Sequence, residues 1–203
     1  QNDILVLDTR TKEQYAEGGT IPGAWYIGLG GNFAPWVGAL IKDINQKIIF
    51  ICETGREQEV VTRLSRVGYD NTLGYLRGGV RAWKTAGFEL DHIGSISATE
   101  FVNILKSSND GVLLDVRKES EYLSEHVVDV DNFPLDYIHS NFAEIDPNEE
   151  YFLHCASGYR SLIAASIFMA NGVKKVTDVR GGFKDIKDTG AKLTDYVCPT
   201  TLL

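Results

Sequence analysis

The sequence has few of the residues that bind metals or form disulfides, with three cysteines and four histidines among 203 residues. The odd cysteine count, the wide spacing and the lack of a Cys-x-x-Cys motif argue against a disulfide framework. Zinc sites need clustered cysteine and histidine ligands, so we expect no metal site. The pattern instead predicts free thiols in a reducing compartment, at Cys52, Cys155 and Cys198.

The sequence also lacks an excess of basic residues and a long hydrophobic run. Twenty Lys and Arg residues stand against 28 Asp and Glu residues, so the formal net charge is −8. A nucleic-acid-binding protein normally carries a basic patch, and we therefore expect no nucleic-acid partner. No apolar run approaches the roughly 18 residues of a membrane-spanning helix, which predicts no membrane partner.

An internal repeat divides the chain, because three segments recur in the same order. The matched pairs are VLDTRTKEQY with LLDVRKESEY, ICETGRE with HCASGYR, and LRGGVRAWKTAG with VRGGFKDIKDTG. We expect two domains, 1–92 and 93–203, each of ordinary domain size. Ser97–Glu100 has the pattern of a capping box and would begin the first helix of the second domain. The first copy has no counterpart to this helix, which predicts that its N-terminal edge is missing.

Both copies alternate short, β-branched apolar runs with helical patterns. This alternation predicts an α/β fold, in which each domain has a central, mainly parallel sheet flanked by helices. The helix after Cys155 is apolar on nearly every side and should be buried, whereas its counterpart in EQEVVTRLSRV has a charged face. In the second copy we expect strands at 111–115, 130–133, 150–154 and 175–178, and helices at 97–106, 119–123, 159–170 and 182–188.

Cys155 is the main candidate functional residue, because it joins a predicted strand to a predicted helix. Ligands of open α/β sheets bind at the carboxyl ends of strands, and a helix N-terminus favours a thiolate. Gly158 permits a tight loop with inward amides, and Arg160 adds a cation suited to an oxyanion. The nearby hydroxyls belong to Ser157 and Ser161. A single cysteine usually serves packing, but this combination on one loop favours a reactive thiol.

Three motifs of the second copy, LLDVRKESEYLSEH, CASGYRS and VRGGFKDIKDTG, resemble those of a rhodanese domain. The resemblance covers nearly the whole chain, in two tandem copies. It implies a sulfurtransferase that needs no cofactor. The implied reaction moves a sulfane sulfur from a small-molecule donor, thiosulfate or a persulfide, to Cys155. The resulting persulfide then passes the sulfur to a thiophilic acceptor, a thiol or cyanide.

The resemblance also implies roles for the residues around this cysteine. Asp115 and Arg117 match the motif behind the active loop, and His126 matches the Gly-His-Ile position of the family. Glu125 stands where that motif usually has Gly. Arg160 is expected to bind an oxyanion of the donor and to stabilise the thiolate. The residues whose amides would surround the transferred sulfur are Ala156, Ser157, Gly158, Tyr159 and Arg160.

Three hypotheses about the chemistry of the loop remain, and its length distinguishes two of them. Cys155 and Arg160 form a CX4R loop, whereas the related phosphatases and arsenate reductases use CX5R, because a tetrahedral oxyanion needs one more amide. The shorter loop fits one sulfur atom and favours sulfur transfer over phosphate hydrolysis. The third hypothesis is a non-catalytic rhodanese-like interaction module in which the thiol is inert.

The first copy retains a cysteine in a different electrostatic setting. Cys52 is followed by Glu53, and Glu57 stands where the second copy has Arg160. Negative charge beside a thiol raises its pKa and repels anionic donors, and Arg56 would compensate only in part. We expect this domain to be weakly active or inert. A relay in which its cysteine accepts sulfur from the second domain is the opposing hypothesis.

A narrower resemblance is carried by GNFAPWVGALI, by GREQEVVTRLSRVGYDNTLGYLRGG and by the tandem arrangement. These features resemble the C-terminal part of bacterial metallo-β-lactamase-fold proteins with rhodanese repeats, which are similar to persulfide dioxygenases. The resemblance implies a bacterial cytoplasmic protein with an upstream metallo-β-lactamase-like domain that holds the iron. The chain begins at Gln1 and not at Met, which predicts a fragment or a processed product.

Overall fold

The computed structural model describes residues 4–107 and 111–198 of the chain. It separates into two compact units, with the division between His92 and Ile93. Each unit has its own parallel sheet with helices packed around it, so the α/β fold with two tandem domains is confirmed. Every helix in the described ranges is too short or too polar to cross a bilayer.

The first unit has a four-stranded sheet in the order β2-β1-β3-β4, and all neighbouring strands are parallel. Its sheet has no strand or preceding helix to match the N-terminal edge of the second unit within the described residues. Its elements are β1 (Ile4–Asp8), α1 (Lys12–Gly18), β2 (Trp25–Tyr26), α2 (Phe33–Leu40), β3 (Lys47–Ile51), α3 (Glu57–Ser65), β4 (Thr72–Tyr75) and α4 (Gly79–Thr85).

The second unit has a five-stranded parallel sheet in the order β5-β9-β8-β6-β7. The predicted strands and helices are all present, although the strand expected at 130–133 is only two residues long. The elements are β5 (Gly94–Ile96), α5 (Ala98–Lys106), β6 (Val112–Asp115), α6 (Glu119–Ser124), β7 (Asp131–Asn132), α7 (Ile138–Asn141), β8 (Glu150–His154), α8 (Tyr159–Ala170), β9 (Lys175–Val179) and α9 (Gly182–Lys187), with 3-10 turns at Leu135–Tyr137 and Phe142–Glu144.

Strand β8 lies in the middle of the second sheet, between β6 and β9. Four successive residues at its carboxyl end, Tyr151 to His154, are buried. A strand of a parallel sheet is covered by helices on both faces, so a continuous apolar run is what this position requires. The chain therefore delivers Cys155 to the carboxyl edge of the sheet at its centre, where ligands of this fold class bind.

Helix α8 is buried along most of its length, as its sequence predicts. Every residue from Ser161 to Phe168 is buried. Phe168 meets the rings of Phe133, Phe142 and Tyr151 edge-on, with centroids 5.2–5.6 Å apart. Burial of such a ring contributes about 1.5–3 kcal/mol. Helix α8 is thus anchored in the core, and this fixes the position of the loop between Cys155 and the helix.

The corresponding helix of the first unit has one apolar stripe. Val60 and Leu64 of α3 are buried, whereas Glu57 and Arg63 on its other side are partly exposed. At the start of the second unit, Ser97 caps α5, and Glu100 closes the predicted capping box by accepting a hydrogen bond from the Ser97 amide.

Candidate active site

Cys155 is the first residue after β8, and its side chain is almost completely buried. The loop that follows is fixed to the start of α9. The amide of Phe183 donates a 2.7 Å hydrogen bond to the Cys155 carbonyl, and the amide of Lys184 donates one of 3.2 Å to the Ala156 carbonyl. Gly182 makes this approach possible, because a Cβ atom there would lie 2.3 Å from the Cys155 carbonyl oxygen.

Two hydrogen-bond donors are directed at the sulfur of Cys155. The amide of Gly158 lies 3.2 Å from Sγ, and the hydroxyl of Ser161 lies 3.5 Å from it. Gly158 has φ of +91°, a conformation that side chains disfavour and that turns its amide inward. Donors to sulfur and the N-terminus of α8 both favour the negative charge of a thiolate. The sequence predicted these two residues beside the cysteine, and the structure brings them together.

The guanidinium of Arg160 is engaged by a carboxylate. Its two terminal nitrogens donate hydrogen bonds of 2.5 and 2.9 Å to the two carboxylate oxygens of Glu121 on α6. Burial disfavours both charges. Even so, the pair raises the pKa of Arg160 and lowers the pKa of Glu121 from their ordinary values. The charge of Arg160, which was expected to bind a donor oxyanion, is thus already balanced by Glu121.

Glu121 contacts the loop, and the sequence pattern did not indicate this role. It lies within the LLDVRKESEYLSEH motif, 39 residues before its partner in the chain. A buried cation on the loop needs a counter-charge, which was the available signal. The spacing alone did not identify which of several acidic residues on α6 would supply it.

Asp115 and Arg117 form a buried ion pair beneath the loop. Arg117 donates three side-chain hydrogen bonds of 2.6–3.0 Å to the Asp115 carboxylate and a further one to the Glu125 carbonyl. Its guanidinium lies 3.8 Å above the centre of the Phe183 ring. These contacts join β6, α6 and α9. The predicted supporting pair therefore positions α6 and α9, the two helices that contact the loop.

His126 lies two residues after the last residue of α6, Ser124. Its ring stacks on Tyr122 with centroids 3.6 Å apart, and Nδ1 is 2.7 Å from the Tyr122 carbonyl, so Nδ1 carries the proton in this bond. Its main chain exchanges hydrogen bonds with Thr194. The predicted supporting residue thus joins α6 to the C-terminal segment. Of the other predicted loop residues, Ser157 is exposed and Tyr159 is half-buried.

The sequence of this chain matches the pattern of the family described as the rhodanese-like domain twice, over residues 1–86 and 97–189. The chain belongs to the rhodanese-like domain family. A Bacillus subtilis protein named "Putative sulfur carrier protein YrkF" is 34% identical over 93 residues, which are 46% of this chain and 50% of that protein. A protein of Allochromatium vinosum named "Sulfurtransferase" is 27% identical over 90 residues, 44% of this chain and 84% of that protein. The chain thus spans half the length of the Bacillus relative.

Solved structures of rhodanese-like proteins also resemble this chain. A rhodanese-like domain protein from Staphylococcus aureus is 29% identical, with a TM-score of 0.46, and the match covers 51% of this chain and all of that one. A thiosulfate sulfurtransferase from Pseudomonas aeruginosa is 20% identical, with a TM-score of 0.44, over 96% of this chain and 41% of that one.

In the first rhodanese-like domain, Cys52 occupies the equivalent position after β3, and it is half-buried. Burial and the Glu57 carboxylate raise the pKa of its thiol to about 11, and the charge of Arg56 opposes this only in part. At neutral pH the thiol is therefore protonated and weakly nucleophilic. The residue aligned with the arginine of the second loop thus works against thiolate formation.

Arg56 is held by two carboxylates of its own loop and helix. One terminal nitrogen donates to Glu53, while Nε and the other terminal nitrogen donate to Glu59. Gln14 of α1 donates a further hydrogen bond to the other oxygen of Glu53. The positive charge that the sequence placed beside Cys52 is thus paired with two carboxylates.

An open cleft of about 690 Å³ lies over Cys52. Its walls come from α1, from the loop after β3 and from the start of α4, and they include Arg10, Glu17 and Arg81. Arg10 is already paired with Asp8, which also accepts a hydrogen bond from Thr20. Within the described residues of both domains, no three His, Cys, Asp or Glu side chains are grouped to hold a metal ion.

Proposed function

We propose that the second rhodanese-like domain is a sulfurtransferase that carries a sulfane sulfur as a persulfide on Cys155. The observation that carries this proposal is the thiol at the carboxyl end of β8 with two donors, from Gly158 and Ser161, directed at its sulfur. Such donors stabilise the thiolate, which is the nucleophilic form. The family membership and the name of the Allochromatium relative support the same chemistry.

The transfer proceeds in two displacements on sulfur. The Cys155 thiolate attacks the outer sulfur of a donor, the S–S or S–S(O) bond of the donor breaks, and the donor leaves with the bonding pair as a thiolate or as sulfite. An acceptor thiolate or cyanide then attacks the outer sulfur of the Cys155 persulfide. The product leaves with that sulfur, and the original thiolate is restored.

The chemistry of the loop supports a small sulfur carrier over a phosphate site. Cys155 to Arg160 is a CX4R loop, and the donors that surround the thiol are placed at a single atom. The described cysteines form no disulfide, which supports action in a reducing compartment such as a bacterial cytoplasm. The proposed setting, next to a metallo-β-lactamase-like domain of a longer protein, rests on the sequence motifs alone.

A non-catalytic interaction module is the second candidate, and one observation favours it. Cys155 exposes only 1% of its surface, and the nearby Arg160 is already paired. A domain that had lost its reaction would tolerate a buried thiol. The donors that face the sulfur favour the reactive interpretation, because packing alone would not require them.

The test is whether Cys155 acquires sulfur. The chain is incubated with thiosulfate or with an alkyl persulfide, and the mass added by one sulfur atom is sought on peptides that contain each cysteine. We expect it on Cys155, together with thiocyanate formation when cyanide is added, and we expect both to be lost in Cys155→Ser. Cys198→Ser, which removes an exposed thiol, is the control. No added sulfur on Cys155 from either donor would leave the interaction module as the function.

A further inference from the structure

The only loop cation of the CX4R segment, Arg160, has a carboxylate across its two terminal nitrogens. This ion pair with Glu121 is bidentate, the strongest geometry available to an arginine and a carboxylate. The Arg160 side chain is 16% exposed and that of Glu121 is 36% exposed. The carboxylate is thus the more accessible partner. An approaching donor meets an ion pair that is neutral overall and whose carboxylate is the more exposed member.

The first domain indicates that the two members of the pair change together. Glu57 occupies the position of Arg160 there, and Gln14 occupies the position of Glu121. Gln14 has the length of a glutamate without its charge, and its amide donates to another residue of the Cys52 loop. A carboxylate is therefore present at this position in the copy whose CX4R loop ends in an arginine, whereas Arg56, one position earlier in the first loop, pairs with Glu53 and Glu59. The two residues behave as one unit of the site.

This pairing matters for the charge of the donor. Thiosulfate is a dianion, and binding it beside a thiolate requires positive charge that is free to act. The neighbouring ion pairs, Arg117 with Asp115 and Lys187 with Glu125, are also balanced. An organic persulfide, in contrast, is neutral when protonated and has at most one negative charge on its sulfur. Neutralisation of Arg160, the cation of the loop itself, therefore penalises thiosulfate more than a persulfide.

We propose that Glu121 is a specificity-determining residue, which makes the Cys155 loop select organic persulfides over thiosulfate by neutralising Arg160. This inference rests on the proposed function and specifies its donor. The favoured step joins the Cys155 thiolate to the outer sulfur of R–S–SH. The S–S bond breaks, R–S⁻ leaves, and the enzyme retains Cys155–S–SH. With thiosulfate the same attack expels sulfite. The loop must then hold two more negative charges than it holds with R–S–SH.

Glu121→Gln tests this inference, because it removes the charge and retains an oxygen that accepts a hydrogen bond from Arg160. The measurement is the ratio of kcat/KM for thiosulfate to that for a persulfide with an uncharged alkyl group, with cyanide as the acceptor. We expect the ratio to rise about ten-fold, mainly through a lower KM for thiosulfate, since one repulsive charge is removed near the anion. The gain should diminish at high salt.

Two variants separate charge from structure. Glu119→Gln makes the same change in net charge at an exposed position of the same helix, and its ratio should equal that of the wild type. Glu121→Asp keeps the carboxylate, so its ratio should also remain low even if its activity falls. An unchanged ratio in Glu121→Gln, or an equal loss with both donors, would overturn the inference.

The same assays distinguish failure of this inference from failure of the proposed function. If Cys155 of the wild type takes sulfur from both donors and Glu121→Gln leaves their ratio unchanged, the sulfurtransferase stands and the role of Glu121 is wrong. If neither donor adds sulfur to Cys155, the function and the inference both fail.

Discussion

The amide of Phe183 donates a 2.7 Å hydrogen bond to the carbonyl oxygen of Cys155, and this bond ties the candidate nucleophile to the first turn of α9. The two residues are far apart in the chain, yet the position of one determines the position of the other. The contact requires that the intervening main chain come close enough to exclude any side chain at Gly182.

Gly182→Ala should therefore destabilise the second domain. The new Cβ would lie 2.3 Å from the Cys155 carbonyl oxygen, at a residue whose φ is +59°. Left-handed strain and displacement of the loop together should cost about 2–4 kcal/mol of unfolding free energy, and sulfur loading of Cys155 should fall as well. The effect is measured by urea unfolding of the whole chain, in which the unfolding transition of this domain is monitored.

Gly172→Ala is the matched control for that variant. Its φ is +94°, and a Cβ there would meet nothing within 4 Å. It should show only the cost of the left-handed conformation, about 1–2 kcal/mol, with sulfur loading unchanged. An equal effect of the two substitutions would mean that the close approach to Cys155 has no energetic weight.

The thiol of Cys52 should react slowly with an alkylating reagent at pH 8. Its pKa is raised to about 11, first by burial and then by Glu57, so only a small fraction is thiolate at that pH. Glu57→Gln should lower the pKa and speed alkylation, as followed by mass spectrometry of the Cys52 peptide. Glu89→Gln, which alters an exposed carboxylate, should leave the rate unchanged. A rate in Glu57→Gln that equals the control would refute the electrostatic explanation.

Cys52→Ser should leave sulfur transfer by the whole chain nearly unchanged. The cysteine of the first domain is protonated, and the cation beside it is neutralised by Glu53 and Glu59. Steady-state transfer from persulfide to cyanide, compared with that of the wild type, checks this expectation. Loss of turnover in Cys52→Ser, with loading of Cys155 intact, would instead support a relay between the two cysteines.

The stability of the second domain should decrease as the pH falls below about 6.5. His154 is fully buried, neither ring nitrogen has a hydrogen-bond partner among the described residues, and burial lowers its pKa despite the nearby Asp115 carboxylate. Below the ordinary histidine pKa, His154 binds a proton in the unfolded chain more readily than in the folded chain. The free energy of unfolding therefore falls from that pH downward.

His154→Leu should remove most of this acid sensitivity, and urea unfolding at several pH values between 5 and 8 would measure it. The first domain has Ile51 at the equivalent position, so an apolar residue fits the strand. His92→Gln, at an exposed residue, is the control and should retain the acid sensitivity. A pH profile of His154→Leu that matches that of the wild type would show that other groups are responsible.

Much of this fold could be predicted from local patterns in the sequence. Helix α8 was identified because its apolar residues occur on every side, and α5 because Ser97 and Glu100 form a capping box. Strand β7 was predicted too long, since Val130 and Phe133 are buried apolar residues that flank the two residues paired with β6. Burial alone does not indicate which residues make strand hydrogen bonds.

The site could be predicted only in part, for a related physical reason. The loop residues are close in sequence, so their approach to Cys155 follows from one tight turn after a strand. The partner of Arg160 lies on α6, and its choice depends on how that helix packs beside the loop. Contacts between distant segments are decided by packing, and the sequence pattern did not identify Glu121 as the partner of Arg160.

The burial of Cys155 has a consequence for the partners that its sulfur can have. A cysteine residue that is 1% exposed is closed to the approach within roughly 2 Å that an S–S bond with a second folded protein requires. The resting thiol is thereby protected from mixed disulfides with large molecules. A single added sulfur lengthens the side chain by about that same distance, so we expect the loaded form to be more accessible to acceptors than the resting form.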